Sequence, residues 1–270
     1  MDAVANNIRA IAERFVSARL AGAVLPGYPG EAPADLVEAY ACQDIAINLW
    51  PDRVVGWKIG RINAPDDVRF GCDRLAGPIF ANSVLPAQAG QATQFPVTVG
   101  GFSAVEAEFV FHIRHNAPSA KHHWTQDEAM ALVGDVFIGI EIAGSPLATI
   151  NDLGPLVVAS DFGNNAGLIL GPKAEGWRDR PVSGWTCETL IDGKSIGVGA
   201  ASDLPGGPFE AMRFIAEFSA RRGRPLEAGW LISTGAVTGV HDIAAGQSAR
   251  LRFDGFGELA CKAVAGGPQA

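Results

Sequence analysis

An α+β fold is predicted for this chain, and three observations predict it. Helical periodicity is concentrated in the first fifty or so residues. Short β-like runs then follow one another, separated by Gly, Pro, Asn and Asp. One further long amphipathic segment interrupts them late in the chain, so helices followed by strands fit better than a regular βαβ alternation.

The first helix is read from Ile8, Ile11, Phe15 and Ala18, with Arg9, Glu13 and Arg14 off that face. A second is expected to begin near Pro33, a favoured first-turn residue. It runs through Leu36, Val37, Tyr40, Ala41 and Ile45 and stops at Pro51 and Asp52. Strands are expected over residues 54–59, 105–113, 136–142, 156–160, 168–170, 186–191, 230–233, 249–253 and 258–264. Asp192-Gly193 reads as the turn of a hairpin, and Asp254-Gly255 as a similar turn near the C-terminus. A short helix is expected over 125–132. A longer one starts at Pro208, buries Ala211, Phe214, Ile215 and Phe218, and ends in Arg221-Arg222-Gly223, where positive charge and glycine suit a helix C-terminus. There is no internal repeat. The chain is read as one domain over 1–270, with a helical segment over 1–52 and a β-rich core over 53–270.

The 270 residues are 48% hydrophobic and 19% charged, a globular composition. A net charge of −8 argues against a general nucleic-acid binder, which needs a basic face. No apolar run approaches a membrane span, and Arg9, Glu13, Arg14 and Arg19 interrupt any signal-peptide core. Cys42, Cys72, Cys187 and Cys261 are far apart and form no CxxC pair, which speaks against structural zinc or a disulfide framework. A cytoplasmic protein with no nucleic-acid or membrane partner is expected.

Chemistry is concentrated in a few stretches. In the strand around Glu106-Ala107-Glu108, the residues Val105, Ala107, Phe109, Phe111 and Ile113 share one face, and Glu106, Glu108, Val110 and His112 the other. Two carboxylates about 7 Å apart at Cβ on one face repel unless a cation or a proton lies between them. An edge strand with a solvated face is the alternative. Glu141 is the one charge in the apolar run 136–142, and a buried carboxylate is costly unless paired, hydrogen-bonded or metal-bound. Gly139, two residues earlier, leaves space beside it. Three acids on two strands suit a hard divalent cation, Mg²⁺ or Mn²⁺; a core acid facing an arginine is the other reading of Glu141. Lys58 lies inside a strand and reads either as an active-site cation of lowered pKa or as a snorkelling surface lysine. Asp161 follows an apolar run and precedes Gly163-Asn164-Asn165, which reads as a site at a strand end or as an ordinary turn. Gly193-Lys194-Ser195 lacks the glycines of a phosphate loop, Gly197-Val198-Gly199 is an incomplete dinucleotide pattern, and no GxSxG elbow is present.

Taken in order, Gly56-Trp57-Lys58-Ile59-Gly60, Val105-Glu106-Ala107-Glu108, Ile140-Glu141-Ile142, the stretch 161–171, Gly197-Val198-Gly199-Ala200-Ala201 and Ile232-Ser233-Thr234-Gly235-Ala236 resemble the 2-keto-4-pentenoate hydratase and 4-oxalocrotonate decarboxylase family of the fumarylacetoacetate hydrolase superfamily. The likeness spans nearly the whole chain. It implies a mixed β-roll or barrel core with flanking helices, and Mg²⁺ or Mn²⁺ held by Glu106, Glu108 and Glu141. It implies that Lys58 and Asp161 serve proton transfer or order a water, and that Asn165, Thr234 and Gly235 lie by the substrate. Two stretches depart from the family pattern. Asp73 is the nearest acid in the loop over 72–80 and is displaced, and Gly163-Asn164-Asn165 stands where hydratases tend to have small hydroxyl residues.

The activity implied is metal-dependent hydration of a 2-hydroxy-2,4-dienoate (2-oxo-4-enoate) by ketonisation and water addition, in aromatic-compound catabolism. Decarboxylation of a 4-oxalocrotonate-like acid and hydrolysis of an acylpyruvate are the alternatives. Hydrolysis ranks lower, because hydrolases of the superfamily usually carry a His–Glu pair on an N-terminal segment and no histidine precedes His112. A non-catalytic 2-oxo acid binder, or a structural partner of a related decarboxylase, is the reading outside enzymes. The expected partners are a small 2-oxo acid and further copies of the chain in a homo-oligomer.

Overall fold

The structure, a computed structural model, describes residues 3–267. The chain opens with α1 (Ala3–Ala21) and α2 (Leu36–Leu49). The second helix starts after Pro33, at Asp35, whose carboxylate accepts the Glu38 N–H and satisfies one of the free amides of the first turn. β1 (Val54–Arg61), α3 (Asp66–Phe70), β2 (Arg74–Phe80), β3 (Val84–Pro86), β4 (Thr93–Val97) and β5 (Phe102–Ile113) follow. Then come α4 (Gln126–Met130), held at its start by a reciprocal Thr125–Glu128 capping box, and β6 (Val133–Ser145).

The expected strand over 156–160 is instead a helix, α5 (Pro155–Ser160). The run Leu156-Val157-Val158-Ala159 is buried on every side, so its hydrophobicity has no period to distinguish strand from helix. Gly154, at φ 91°, turns the chain, and Pro155 sits in the first helical turn, where its missing N–H costs nothing. The remainder is β7 (Asn165–Lys173), β8 (Thr186–Ile191), β9 (Lys194–Ala200), α6 (Gly207–Arg221), β10 (Leu231–Ser233), β11 (His241–Asp242), β12 (Ser248–Phe253) and β13 (Gly257–Ala265). β8 and β9 form the hairpin expected at Asp192-Gly193, both residues at positive φ.

The strands form two sheets, giving an α+β architecture with a mixed β-roll core. The larger runs β2-β1-β10-β5-β6-β7-β3, with β11 added to β5. β1–β10 and β3–β7 are parallel and the other pairs antiparallel. It curls until β2, at one edge, meets β7 near the other. The smaller sheet runs β4-β13-β12-β8-β9.

Alternation along β5 sorts side chains to the two faces of the curl. Phe109 points outward and meets Trp185, Phe253 and Phe256 at ring-centroid distances of 4.8, 5.6 and 5.6 Å, which welds the two sheets together. Glu106, Glu108 and Val110 point inward. Val110 joins Ile79, Leu168 and Leu231 in a small apolar cluster that fills the bottom of the curl. The acids lie on top of that dry floor.

Candidate metal centre and cavity

Register brings the acids together. Glu106 stands directly opposite Glu141 across β5 and β6, and Glu108 opposite Gly139. One carboxylate oxygen from each of Glu106, Glu108 and Glu141 lies within 4.8 Å of the others, and the three residues are at most 5% exposed. Gly139 does not open space for them: a Cβ there would lie 2.6 Å from a Val110 methyl, so its missing side chain makes room for the apolar floor.

Each acid is positioned by its neighbours. Ser233 Oγ donates to Glu108 Oε2 at 2.5 Å, and the Gly235 N–H donates to the same oxygen at 2.9 Å. Asn165 Nδ2 donates to Glu141 Oε1 at 3.1 Å, and Lys58 Nζ lies 3.1 Å from that oxygen. Glu108 Oε1 and Glu141 Oε2 are then left buried with no hydrogen-bond partner among the described residues. Lys58 is itself 3% exposed, inside the curl and not on the surface.

Three buried carboxylates against one lysine cannot all stay ionised without another cation. Burial pushes Glu106 up to about 8; Glu141 adds to the rise and Lys58 opposes it. Burial, then Glu141 and Glu106, hold Glu108 well above the usual carboxylate range, against the bonds from Ser233 and Gly235. For Lys58 the expectation of a lowered pKa is overturned. Burial alone would lower it, but Glu141, Glu106 and Glu108 together outweigh burial and raise it. In the metal-free centre the acids thus favour Lys58 as an ammonium, able to donate a hydrogen bond or a proton.

The donor set fits a hard divalent cation. It is all oxygen, it carries an excess of negative charge, and its two unpartnered oxygens belong to two of the three acids. Protons fill the same role less well, since they neutralise the charge without satisfying those oxygens.

A cavity of about 800 Å³ opens beside the cluster and reaches it at Glu106. Lys58, Glu106, Asn164, Thr234 and Gly235 line it, and Arg61 and Arg74 stand farther along β1 and β2, paired in register. Thr234 spends its hydroxyl on the Phe109 carbonyl at 2.8 Å. Asp161 and Asn165 lie elsewhere. Both Asp161 oxygens are taken, by Arg19 Nε at 2.6 Å on one and by Arg19 and Ser145 Oγ on the other. Asp161 does not line the cavity, and its carboxylate is engaged by three side-chain donors from Arg19 and Ser145. Asn165 faces a second, smaller cavity of about 360 Å³ behind the sheet and reaches the acids only through its bond to Glu141. Sequence reasoning assigned no role to Ser233 or Asn164, although both lie in stretches it singled out.

Comparison with known proteins gives a consistent picture. No family model matches the chain. A 2-keto-4-pentenoate hydratase of Burkholderia vietnamiensis is 25% identical over 259 residues, covering 94% of this chain and 96% of its own. A 4-oxalocrotonate decarboxylase from a Pseudomonas species is 25% identical over 255 residues, 93% of this chain and 96% of its own. Among solved structures, 4-oxalocrotonate decarboxylase from Pseudomonas putida G7, complexed with magnesium and adipate, superposes with a TM-score of 0.78 at 19% identity, over 96% of this chain and 98% of that one. Fumarylpyruvate hydrolase from Pseudomonas aeruginosa, in complex with Mn²⁺ and pyruvate, gives 0.58 at 20% identity, over 80% of this chain and 91% of that one. These structural likenesses establish the shared fold.

Proposed function

We propose that this chain, which belongs to the family of 2-keto-4-pentenoate hydratases and 4-oxalocrotonate decarboxylases within the fumarylacetoacetate hydrolase superfamily, is a metal-dependent hydratase of a 2-hydroxy-2,4-dienoate (2-oxo-4-enoate). Its place would be in aromatic-compound breakdown. The observation that carries the proposal is the buried cluster of Glu106, Glu108 and Glu141, with two unpartnered oxygens, beside the protonated Lys58 at the base of a cavity. Mg²⁺ or Mn²⁺ held by the three acids would supply Lewis-acid stabilisation of negative charge developing on the 2-oxo oxygen of a bound substrate.

The chain's own residues set the rest. Ser233 and Gly235 fix one oxygen of Glu108 and turn the other toward the site. Asn165 and Lys58 do the same for Glu141. Lys58, charged and almost free of solvent, can give a proton or a hydrogen bond to the substrate where an enol becomes a ketone. The apolar floor of Ile79, Val110, Leu168 and Leu231 excludes bulk water from below.

Decarboxylation of a 4-oxalocrotonate-like acid is the second reading. Arg61 along the cavity favours it, since a second carboxylate at the far end of a substrate would meet it; Arg74, its register partner, is already paired with Asp73.

The test follows the ultraviolet absorbance of freshly generated 2-hydroxypenta-2,4-dienoate, with Mg²⁺, with EDTA and with Glu108→Gln, and identifies products by mass. Metal-dependent loss of the diene with gain of one water supports the hydratase. Metal binding without that gain removes it and brings decarboxylation forward.

A further inference from the structure

Between α5 and β7 the backbone takes three left-handed residues in succession: Phe162 at φ 54°, Gly163 at 61° and Asn164 at 55°. Such conformations are unfavourable for side-chain-bearing residues and least so for asparagine. The surroundings impose them. Gly77 in β2 lies so close that a Cβ there would come 1.8 Å from the Phe162 carbonyl oxygen. The ring of Phe162 packs at 5.1 Å from Phe80 and 5.6 Å from Trp50. A strained backbone that its neighbours over-determine is often found where a side chain must be aimed.

The side chain aimed here is Asn164. It lines the same cavity as Lys58 and Glu106 and is 5% exposed. Its Nδ2 donates to Asn151 Oδ1 at 3.1 Å, which leaves Oδ1 buried with no partner among the described residues. An unpartnered buried amide oxygen is destabilising unless a ligand supplies the missing donor.

Oδ1 is an acceptor, so its partner must bring a hydrogen. The 2-oxo and carboxylate oxygens of an ionised 2-oxo acid are acceptors and cannot serve. The dienol brings a 2-hydroxyl of its own, but ketonisation removes that donor; what hydration then brings into the cavity is the water that adds, and afterwards the hydroxyl it becomes. We propose that Asn164 binds and orients that water, and that the same oxygen selects 4-hydroxy-2-oxo acids over their deoxy counterparts. The proposal rests on the hydratase reading for its chemical step. In that step the dienol first loses its 2-hydroxyl proton and gains one at C5, giving the conjugated 2-oxo-3-enoate; the water oxygen then bonds to C4, and the C3–C4 π pair shifts to leave an enolate on the 2-oxo oxygen. C3 then takes up a proton as one water proton is released, for a net addition of H and OH. Asn164 transfers no proton and holds the attacking oxygen in line.

The test has a binding arm and a kinetic arm, both with Mg²⁺ present. Affinities for 4-hydroxy-2-oxopentanoate and for 2-oxopentanoate are compared by calorimetry in the wild type and in Asn164→Gly, which suits the left-handed backbone and removes only the amide. The wild type is expected to prefer the hydroxy acid about tenfold and the variant to bind both alike. In the kinetic arm the variant should ketonise 2-hydroxypenta-2,4-dienoate within about twofold of the wild-type rate yet add water at least about tenfold more slowly. Wild-type protein that binds both acids equally overturns the assignment without recourse to any variant. So does a variant that keeps the preference, or whose ketonisation and hydration fall together. Wild-type protein that discriminates the hydroxyl through Asn164 but adds no water keeps the hydroxyl site and overturns the hydratase reading and the water-orienting role.

Discussion

Lys58 Nζ stands 3.1 Å from Glu141 Oε1, with both side chains almost fully buried. This one ammonium faces three carboxylates, so the centre is short of positive charge until a cation or protons arrive. Methionine at position 58 would keep the volume and remove the charge.

Lys58→Met is expected to lower the melting temperature of the EDTA-treated protein, because removing one member of a buried ion pair typically costs about 3–5 kcal/mol. The Mg²⁺-induced rise in melting temperature should be larger than in the wild type, since the metal then relieves a greater excess of negative charge. Turnover should fall at least about 100-fold, the usual range for a lost proton donor. Thermal denaturation with and without Mg²⁺ checks the first two points. An equal or smaller Mg²⁺ shift would show that Lys58 is not part of the charge balance.

Glu108→Gln separates the metal centre from the fold. Ser233 and Gly235 hold Glu108 Oε2, and an amide oxygen can still accept from both. The substitution removes a buried acid without leaving a hole, so the metal-free protein should melt at the wild-type temperature or above it. At a metal concentration of about 100 times Kd, the wild type should gain about 2.7 kcal/mol, or about 5–10 °C. The variant should gain none of this. A full metal shift in Glu108→Gln would move the cation elsewhere.

A raised carboxyl pKa has a definite sign. Glu106 is pushed up to about 8 by burial and Glu141, against 4.5 for the free side chain. The folded state therefore holds that proton more tightly than the unfolded state. Its contribution to stability is complete below about pH 4.5 and disappears as pH rises toward about 8. Glu108, also raised, acts in the same direction. Protein in EDTA should lose melting temperature as pH rises from about 4.5 toward about 8, while Mg²⁺ flattens that decline. Apparent Mg²⁺ affinity should increase over the same interval, because binding releases protons. A metal-free melting temperature that is level or rising over this range would contradict the protonated centre.

The parts of the site that were legible in the sequence came from strand alternation. Glu106 and Glu108 share a face because the period of a strand is two, and Glu141 stood out as a lone charge in an apolar run. Periodicity failed where burial was uniform: Leu156-Val157-Val158-Ala159 reads equally as strand or helix, and Gly154-Pro155 was the signal that decided it. The space credited to Gly139 is filled by Val110 from the neighbouring strand, a fact of register that no single strand contains. Lys58 was found by position, but its protonation depends on acids 48 to 83 residues away in the chain. The same limit governed Asp161, whose partner Arg19 lies 142 residues earlier.

That last pair supports a final prediction. Arg19 Nε donates to Asp161 Oδ1 at 2.6 Å, and the same guanidinium reaches Asp161 Oδ2 and the carbonyls of Asn165 and Gly144. It thereby ties α1 to the segment that carries Asn164 and Asn165. Arg19→Met leaves Asp161 buried with only Ser145 as a neutral donor. A loss of about 3–5 kcal/mol is expected, or about 6–20 °C in melting temperature. Asp161→Asn should cost less, since an amide in that position can still accept from Arg19 through its oxygen and no carboxylate is left unpaired. If Asp161 carried the reaction's proton, Asp161→Asn would abolish turnover and remove an ionisation from the pH–rate profile. With its two oxygens occupied and its side chain outside the cavity, Asp161→Asn should lower the melting temperature while leaving the shape of that profile unchanged at a temperature where the variant is folded. A flat or displaced profile in a folded Asp161→Asn protein would return Asp161 to the chemistry.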